Sequence, residues 1–253
     1  AWERQERRER GGGMIPQPLY RRDPYLTEHD TAVLSHTAEG AVVCAESVFY
    51  PTGGGQPGDS GWLIWEGGRM PVATAVKAEE GAVALVPAEA GPMPAPGTAV
   101  RQVLDWDRRH RHMRLHTALH LLSVLIPLPV TGGAIGAHRA RLDFDMPDPP
   151  ADLPRLSAAL NSLIDRDLQV SEDWIDDAAL AANPQLIKTL SVRPPIGQGR
   201  VRLIRIGRGA GQVDLQPCGG THVARTAEIG HVEILKIEKK GRINRRVTLG
   251  LMD

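Results

Sequence analysis

The chain has 253 residues, enough for one large domain or two modest ones, each with its own hydrophobic core. Its 30 basic residues balance 30 acidic residues, so the total charge does not by itself indicate a nucleic-acid partner. It contains no apolar run long enough to span a bilayer, no signal peptide, and too few cysteines (two) for a disulfide framework. We therefore expect a cytoplasmic protein with reduced thiols and no membrane partner.

The first part of the chain predicts a charged extension followed by a β domain. Residues 1–13 are charged and end in glycines, and Met14 is a plausible start, so we treat them as an extension outside the fold. From residue 14 to 104, short apolar runs alternate with Gly and Pro turns and lack helical periodicity. Strands are predicted at 32–34, 41–44, 47–49, 61–65, 70–76, 82–86 and 99–104. This density of short strands favours a small barrel or a sandwich.

The segment FYPTGGGQPGD at residues 49–59 contains Gly53, Gly54 and Gly55 followed by Gln56. Consecutive glycines let the backbone approach a ligand closely and present amide donors. The segment is not a P-loop, because no Gly-Lys-Ser/Thr follows. A tight turn between strands is the alternative. We favour a substrate-binding loop, because a plain turn rarely needs three glycines together with a glutamine.

From residue 105 onward the pattern becomes mixed α and β. Helical spacing of apolar residues runs from 107 to 126 and stops at Pro127. Asp152 is placed to cap a second amphipathic helix. A flexible loop is predicted at 131–136, short helical segments at 176–182 and 184–190, and strands at 140–144, 201–206, 212–215, 231–238 and 245–249. The whole chain is thus predicted as α+β, with residues 105–253 forming a two-layer α+β domain.

Two short pairs of residues predict a metal site. His116 and His120 are four residues apart in a predicted helix, which places both imidazoles on one face. Cys218 and His222 flank Gly-Gly-Thr, and the glycines allow the thiolate and the imidazole to approach a common point. Imidazole and thiolate together suit zinc. Four protein ligands favour a structural zinc, whereas catalysis needs an exchangeable position, and the spacing leaves this choice open.

Residues near these pairs have possible supporting roles. Strand alternation places Asp214 and Gln216 on one side, where a carboxylate can orient a ligating imidazole; a solvated edge pair is the alternative. His112, one helical turn before His116, competes as a ligand, and we expect it near the surface among arginines. Basic runs at 108–114, 193–208 and 236–246 are either solvated faces or a local positive surface. Three such runs beside the two pairs favour the positive surface.

The sequences FYPTGGGQPGD, LHTALHLLS, CGGTHV and a closing GRINRR, in this order along the chain, resemble the AlaX-type alanyl-tRNA editing proteins of medium length. These are free-standing relatives of the editing domain of alanyl-tRNA synthetase. The resemblance covers residues 19–250 and implies an N-terminal β-barrel followed by an editing domain with one zinc held by His116, His120, Cys218 and His222. It implies hydrolysis of the ester that wrongly joins serine, and to a lesser degree glycine, to tRNA(Ala). No synthetase adenylation motif is visible, so ATP is not expected.

The resemblance also suggests where serine is recognised. An alanine-sized synthetase pocket cannot strongly exclude serine, but a second site that hydrogen-bonds the hydroxyl can select for it. Thr131 is the first candidate for this contact, followed by Thr117 and Thr221. Many relatives carry a polar residue where Leu119 stands here, which would shift recognition to Thr131. The loop of residues 53–56 would lie near the acceptor end of the tRNA or at the domain interface.

For the reaction itself, zinc would hold the aminoacyl group and the amides of Gly219 and Gly220 would stabilise the oxyanion. The sequence identifies no general base, and the terminal hydroxyl of the tRNA is the alternative. Two other functions remain open: a non-catalytic RNA-binding module with a structural zinc, and a zinc hydrolase of another small ester or amide. The sequence does not predict the oligomeric state or the preference between serine and glycine.

Overall fold

The computed structural model describes residues 18–189 and 199–253. The predicted extension at 1–13 lies outside these residues, as does the end of the segment predicted at 184–190. The first sheet is a closed antiparallel barrel with strand order β1-β2-β5-β4-β3-β6. Its strands are β1 Glu28–His36, β2 Val42–Cys44, β3 Gly61–Trp65, β4 Gly68–Lys77, β5 Val83–Pro87 and β6 Ala99–Leu104. A short helix, α1 Leu19–Arg22, precedes the barrel.

The rest of the described chain forms an α+β unit, which confirms the predicted fold class. The helices are α2 Trp106–Leu125, α3 Leu153–Ile164 and α4 Asp177–Ala182, with 3-10 turns at Glu79–Gly81, Pro184–Leu186, Gly209–Gly211 and Thr226–Ile229. The strands are β7 Val130–Ile135, β8 Arg139–Asp145, β9 Val170–Asp176, β10 Arg200–Ile206, β11 Asp214–Pro217, β12 Val232–Lys239 and β13 Asn244–Leu251. They form two sheets, ordered β11-β10-β9 and β12-β13-β8-β7. Within residues 18–189 and 199–253, no helix is both long and apolar enough to cross a bilayer.

The long helix α2 begins and ends where its sequence predicts. The carboxylate of Asp105 accepts a hydrogen bond from the backbone N–H of Arg108, which satisfies one of the free donors of the first turn. The helix ends at Leu125, before Pro127. Its apolar side, including Leu115, Leu119 and Leu122, is buried in the core that it shares with the sheet of β7, β8, β12 and β13. The same helix carries two of the predicted metal ligands.

Two local predictions are wrong, and one strand, β9, was not predicted. The stretch 47–49 is not a strand, because Val48 gives its N–H to the side chain of Gln102 and its carbonyl accepts from the side chain of Arg109. Residues 131–136 are not a flexible loop: most of them form β7, an edge strand with a bulge between Val130 and Gly132, and their glycines hid the strand pattern. Strand β9 was not predicted, because its polar residues obscure alternation, yet it pairs along its length with β10.

A buried ion pair connects α2 with the loops of the barrel. The side chains of Arg109 and Asp59 are 0% and 1% exposed and in direct contact. The same guanidinium donates to the carbonyls of Pro24 (2.9 Å) and Val48 (2.7 Å), and Asp59 also accepts the backbone N–H of Tyr50. Every polar group of the pair thus has partners, which a buried charge pair requires. The contact fixes the helix that carries the histidines relative to the segment that carries the glycine-rich loop.

Asp59→Asn is expected to lower the free energy of unfolding by about 3–5 kcal/mol, because it leaves the Arg109 charge buried without a counter-ion. Denaturant unfolding measured by circular dichroism would show this loss. Glu66→Gln, which changes an exposed carboxylate in the turn between β3 and β4, is the matched control and should stay within about 0.5 kcal/mol of the parent. Equal stability of both variants would show that the ion pair does not hold the helix in place.

Candidate metal centre

Four side chains from two separate elements converge in one buried cluster. His116 and His120 project from α2, and Cys218 and His222 lie in the loop after β11. Each offers one ligand atom, and these four atoms all lie within 4.8 Å of one another. The Sγ atom of Cys218 is 3.4 Å from Nε2 of His116 and 3.3 Å from Nε2 of His222. The cluster can hold one metal ion.

The first histidine is oriented by the glycine-rich segment of the barrel. The side-chain oxygen of Gln56 lies 2.9 Å from Nδ1 of His116 and also accepts the backbone N–H of Thr221 at 3.1 Å. Its amide nitrogen donates to the Thr221 hydroxyl at 2.8 Å. Gln56 is only 1% exposed. The structure therefore places Gln56 behind a metal ligand, not on a surface that a substrate would reach, unlike the sequence-based expectation.

The second histidine is oriented by a carboxylate. The Nδ1 atom of His120 is 2.9 Å from Asp214 Oδ2, and the amide of Gln216 donates to the same oxygen at 2.8 Å. The other oxygen of Asp214 accepts from Lys188 Nζ at 2.6 Å. The strand β11 thus presents Asp214 and Gln216 on one side, with Asp214 fully buried against the imidazole. Such a carboxylate fixes the tautomer of a ligating histidine and makes it a better donor.

The third histidine is oriented by a hydroxyl. Nδ1 of His222 is 3.1 Å from Oγ1 of Thr117, which itself donates to the carbonyl of Met113 at 2.9 Å. Because the hydroxyl hydrogen is used by this carbonyl, the imidazole donates from Nδ1 to the hydroxyl oxygen. Each of the three histidines therefore uses Nδ1 for a protein partner. This leaves Nε2 for the common centre, the arrangement that ligating histidines require.

The electrostatics of the cluster favour protonation states that can bind a metal at Cys218 and His222. Burial alone would raise the pKa of the Cys218 thiol, but His116 and His222 beside it hold that pKa well below its usual range. Burial and then the charge of His116 lower the pKa of His222 to about 3. Burial would also lower the pKa of His120, but hydrogen bonds to Asp214 and Cys218 raise it to about 9. A thiolate and a neutral imidazole could bind a cation directly, whereas a protonated His120 would first have to release a proton.

The loop that carries Cys218 is held by a buried arginine. Nη1 of Arg202, on β10, donates to the carbonyls of Cys218 (3.0 Å) and Gly220 (2.8 Å), while Nη2 contacts Glu172. Since N–H and C=O point in opposite directions across a trans peptide, the N–H of Gly219 points away from Arg202. Gly220 has no room for a side chain, because a Cβ there would lie 2.2 Å from Cε1 of His116.

The predicted substrate-binding residues separate into two groups. Thr117 and Thr221 are 0% and 1% exposed, and their hydroxyls are bonded to His222 and Gln56, so the structure assigns them to the support of the ligands. Thr131 is half-buried on β7, where it donates to the carbonyl of Asp143 and accepts from Asn244. No contact joins the Thr131 hydroxyl to the four ligands.

The three glycines form a turn that places Gln56. Gly53 and Gln56 exchange both backbone hydrogen bonds at 3.0 Å, and Gly54 and Gly55 between them have φ of 59° and 83°. Positive φ at both central positions is the geometry of a type I′ hairpin turn, which glycine allows without strain. A Cβ on Gly55 would also lie 2.8 Å from the carbonyl of Gly133 on β7. The turn and its close approach to β7 together explain why Gly54 and Gly55 are glycines.

His112 differs from its predicted place near the surface. It is 1% exposed, and neither ring nitrogen has a hydrogen-bond partner among the described residues. Burial, with Arg108 and Arg109 nearby, lowers its pKa to about 4, so the ring is neutral. His112 does not belong to the four-residue cluster. The i, i+4 spacing before His116 put it on the right side of the helix, but one turn too far from the centre.

Sequence reasoning missed two residues that support the cluster. Lys188 lies just after the 3-10 turn Pro184–Leu186, and Arg202 lies in an ordinary apolar strand pattern. Both act through contacts with residues far along the chain, Asp214 and the loop at 218–220. The only available signal was a charged residue at an inward position of a predicted strand, which applies to Arg202 alone.

Asp214→Asn is expected to lower the metal affinity about 10–100-fold, because the amide cannot stabilise the charge or the tautomer of His120 as a carboxylate does. Competition with a chromophoric chelator would measure the affinity. Asp165→Asn, at the exposed end of α3, is the control and should bind the metal like the parent. An unchanged affinity in Asp214→Asn would mean that the carboxylate has no role in metal binding.

Comparison with known proteins agrees with these features. Residues 201–248 match the family model for the threonyl and alanyl tRNA synthetase second additional domain, and residues 25–108 match that for class II (A) tRNA synthetases. The alanyl-tRNA editing protein AlaX-M of Saccharolobus solfataricus is 32% identical over 238 residues, which cover 92% of this chain and 98% of that protein.

Two further relatives extend the comparison. The AlaX-M protein of Methanosarcina barkeri is 32% identical over 250 residues, covering 94% of this chain and 100% of that protein. The alanine–tRNA ligase of Archaeoglobus fulgidus is 33% identical over 232 residues, which are 88% of this chain but 24% of the ligase. With the barrel, the α+β unit and the His/His/Cys/His cluster in place, the chain belongs to the AlaX-type alanyl-tRNA editing proteins.

Proposed function

We propose that this protein is a zinc-dependent hydrolase that deacylates mischarged tRNA(Ala), chiefly Ser-tRNA(Ala) and also Gly-tRNA(Ala). The observation that carries the proposal is the buried cluster of His116, His120, Cys218 and His222, three of whose members are oriented from behind by dedicated partners. Ligating histidines almost always have such partners, so this support indicates that the cluster is a metal centre. The names of the relatives supply the substrate class.

Zinc fits this donor set. Bond lengths of about 2.3 Å to sulfur and about 2.0 Å to nitrogen place the two atoms about 3.5 Å apart in a tetrahedral site. The distances from Cys218 Sγ to the Nε2 atoms of His116 and His222, 3.4 Å and 3.3 Å, agree with this value. One thiolate and three imidazoles also suit zinc better than a hard cation. When bound, zinc would polarise the aminoacyl ester or lower the pKa of a water.

The substrate would approach from the side of Cys218 and Gly219. The three imidazoles are buried, with exposures of 7% or less, whereas Cys218 is half-buried and Gly219 is exposed. Arg202 turns the Gly219 N–H away from itself, and this N–H forms no backbone hydrogen bond among the described residues. A free, oriented amide beside the metal ligands is suited to stabilise the oxyanion that forms when water attacks the ester. The amide of Gly220 is the second candidate.

We propose Thr131 as the residue that recognises serine. Its hydrogen and one lone pair are already used, so its oxygen has one lone pair left to accept a substrate hydroxyl. The hydrogen bonds at the two ends of β7 support a position of Thr131 close to the cluster. The N–H of Ile135 donates to the carbonyl of Gly55, and the N–H of Val130 donates to the carbonyl of Lys188. Gly55 precedes Gln56, which contacts His116, and Lys188 contacts Asp214, which contacts His120. Thr131 lies on β7 between Val130 and Ile135, the two residues that donate these hydrogen bonds.

The general base is best supplied by the substrate itself. Asp214 is occupied by His120 and Lys188 and is fully buried, so it cannot take a proton from an attacking water. In the part of the chain that the structure describes, the three histidines of the cluster use Nδ1 for protein partners. The free hydroxyl of the terminal ribose, adjacent to the ester, is therefore proposed to assist the water.

We propose that the two predicted domains divide the task. The β domain at 14–104 contributes the turn at 53–56, whose exposed Gly54 and Gly55 would lie near the acceptor end of the tRNA. The domain at 105–253 contributes the zinc ligands. The hairpin of β12 and β13 presents exposed Lys239, Lys240 and Arg242, which are placed to contact the phosphate backbone.

The zinc-loaded protein is expected to deacylate Ser-tRNA(Ala), and a chelator or His120→Ala should slow the reaction at least ~100-fold, because the metal is then lost or misplaced. Single-turnover release of labelled serine would measure the rate. His231→Ala, an exposed histidine outside the cluster, is the control and should react like the parent. If the metal-loaded protein binds the tRNA but leaves the ester intact, it is an RNA-binding module with a structural zinc.

Thr131→Val keeps the shape of the side chain but removes the hydroxyl. We expect its kcat/KM for Ser-tRNA(Ala) to fall about 10–100-fold, because the serine hydroxyl enters the site without a partner. The rate for Gly-tRNA(Ala) should change little, because glycine has no hydroxyl. Parallel deacylation assays with both substrates would measure the two effects. Unchanged discrimination would exclude Thr131 as the serine sensor.

A further inference from the structure

Arg21 is a positively charged residue beside the cluster, and it forms no salt bridge with any acidic residue in the part of the chain that the structure describes. It lies on α1, and a Cβ built on Gly219 would be 3.6 Å from its Nη2. Its Nε is buried and has no hydrogen-bond partner among the described residues. Its guanidinium carbon lies 5.9 Å from the centroid of the Tyr20 ring. The guanidinium therefore lies at the open side of the cluster, next to the exposed glycine.

The other arginines in this region are paired. The buried Arg109 contacts Asp59, and the buried Arg202 contacts Glu172. A guanidinium that is partly buried and has an unpaired donor lowers the stability of the protein, and an anionic ligand would relieve this free-energy cost. Arg21 has this character, and the ring of Tyr20 beside it packs edge to face on Tyr50 at 5.4 Å. The donors of Arg21 therefore lie near Gly219, beside the Tyr20 ring.

We propose that Arg21 binds the phosphate of the terminal nucleotide of the substrate tRNA. This inference rests on the proposed function, which places the aminoacyl ester between the metal ligands and Gly219. From that ester, the first anion along the substrate is the phosphodiester on the 5′ oxygen of the same ribose. A planar guanidinium with free donors is the side chain best suited to bind it. The alternative is that Arg21 binds the oxyanion that forms during the reaction. That role would affect kcat and not the affinity gained from the phosphate.

Two non-hydrolysable ligands separate these possibilities: the seryl amide of 3′-amino-3′-deoxyadenosine, with and without a 5′-phosphate. Calorimetric titration of the zinc-loaded protein should show that the phosphate increases affinity roughly tenfold, the strength of a charge-assisted hydrogen bond. Arg21→Gln should remove this increment and bind both ligands equally. Arg22→Gln, which changes the exposed neighbour on the same helix, should retain it.

Kinetics complete the test. In deacylation of Ser-tRNA(Ala), Arg21→Gln is expected to raise KM several-fold with little change in kcat. A fall in kcat of about 100-fold with an intact phosphate increment would assign Arg21 to the oxyanion and overturn the proposal. Equal affinity of the parent for both ligands would overturn it while leaving the proposed function standing. If the parent binds neither ligand, the proposed function fails together with the role of Arg21.

Discussion

Three imidazoles and one thiolate meet in a buried cluster, and much of the structure around it serves to keep these donors aligned. His116, His120 and His222 each use one nitrogen for a protein partner, which leaves the other nitrogen for a shared centre. A cation at this centre would compensate the charge of the buried thiolate, which burial otherwise penalises. The partners are an amide, a hydroxyl and a carboxylate, so the three rings are held by different chemistry and in different directions.

The barrel is part of this arrangement. Gln56 reaches His116 only because a type I′ turn of glycines reverses the chain just before it. The buried pair of Arg109 and Asp59 fixes the same segment against α2, about two turns before His116. The helix with its two histidines and the turn with its glutamine are thus positioned together. A change in the barrel loops would therefore be felt at the cluster, although the barrel contributes no ligand.

The ligands themselves were predictable from the sequence, because their geometry is local. The spacing of His116 and His120 fixes their common face once a helix forms, and the glycines between Cys218 and His222 permit a tight loop. The supporting contacts were not predictable in the same way. Gln56 and His116 are 60 positions apart, and Lys188 and Asp214 are 26 positions apart. Such pairs depend on how the barrel and the sheets are placed, which no local pattern records.

X-ray absorption at the zinc edge of the reconstituted protein tests the central claim most directly. We expect one sulfur at about 2.3 Å and three nitrogens at about 2.0 Å, with multiple-scattering features of three imidazoles. The Cys218→Ser variant should lose the sulfur shell and keep the imidazoles. A spectrum without sulfur, or one fitted by oxygen ligands alone, would contradict a centre built from His116, His120, Cys218 and His222.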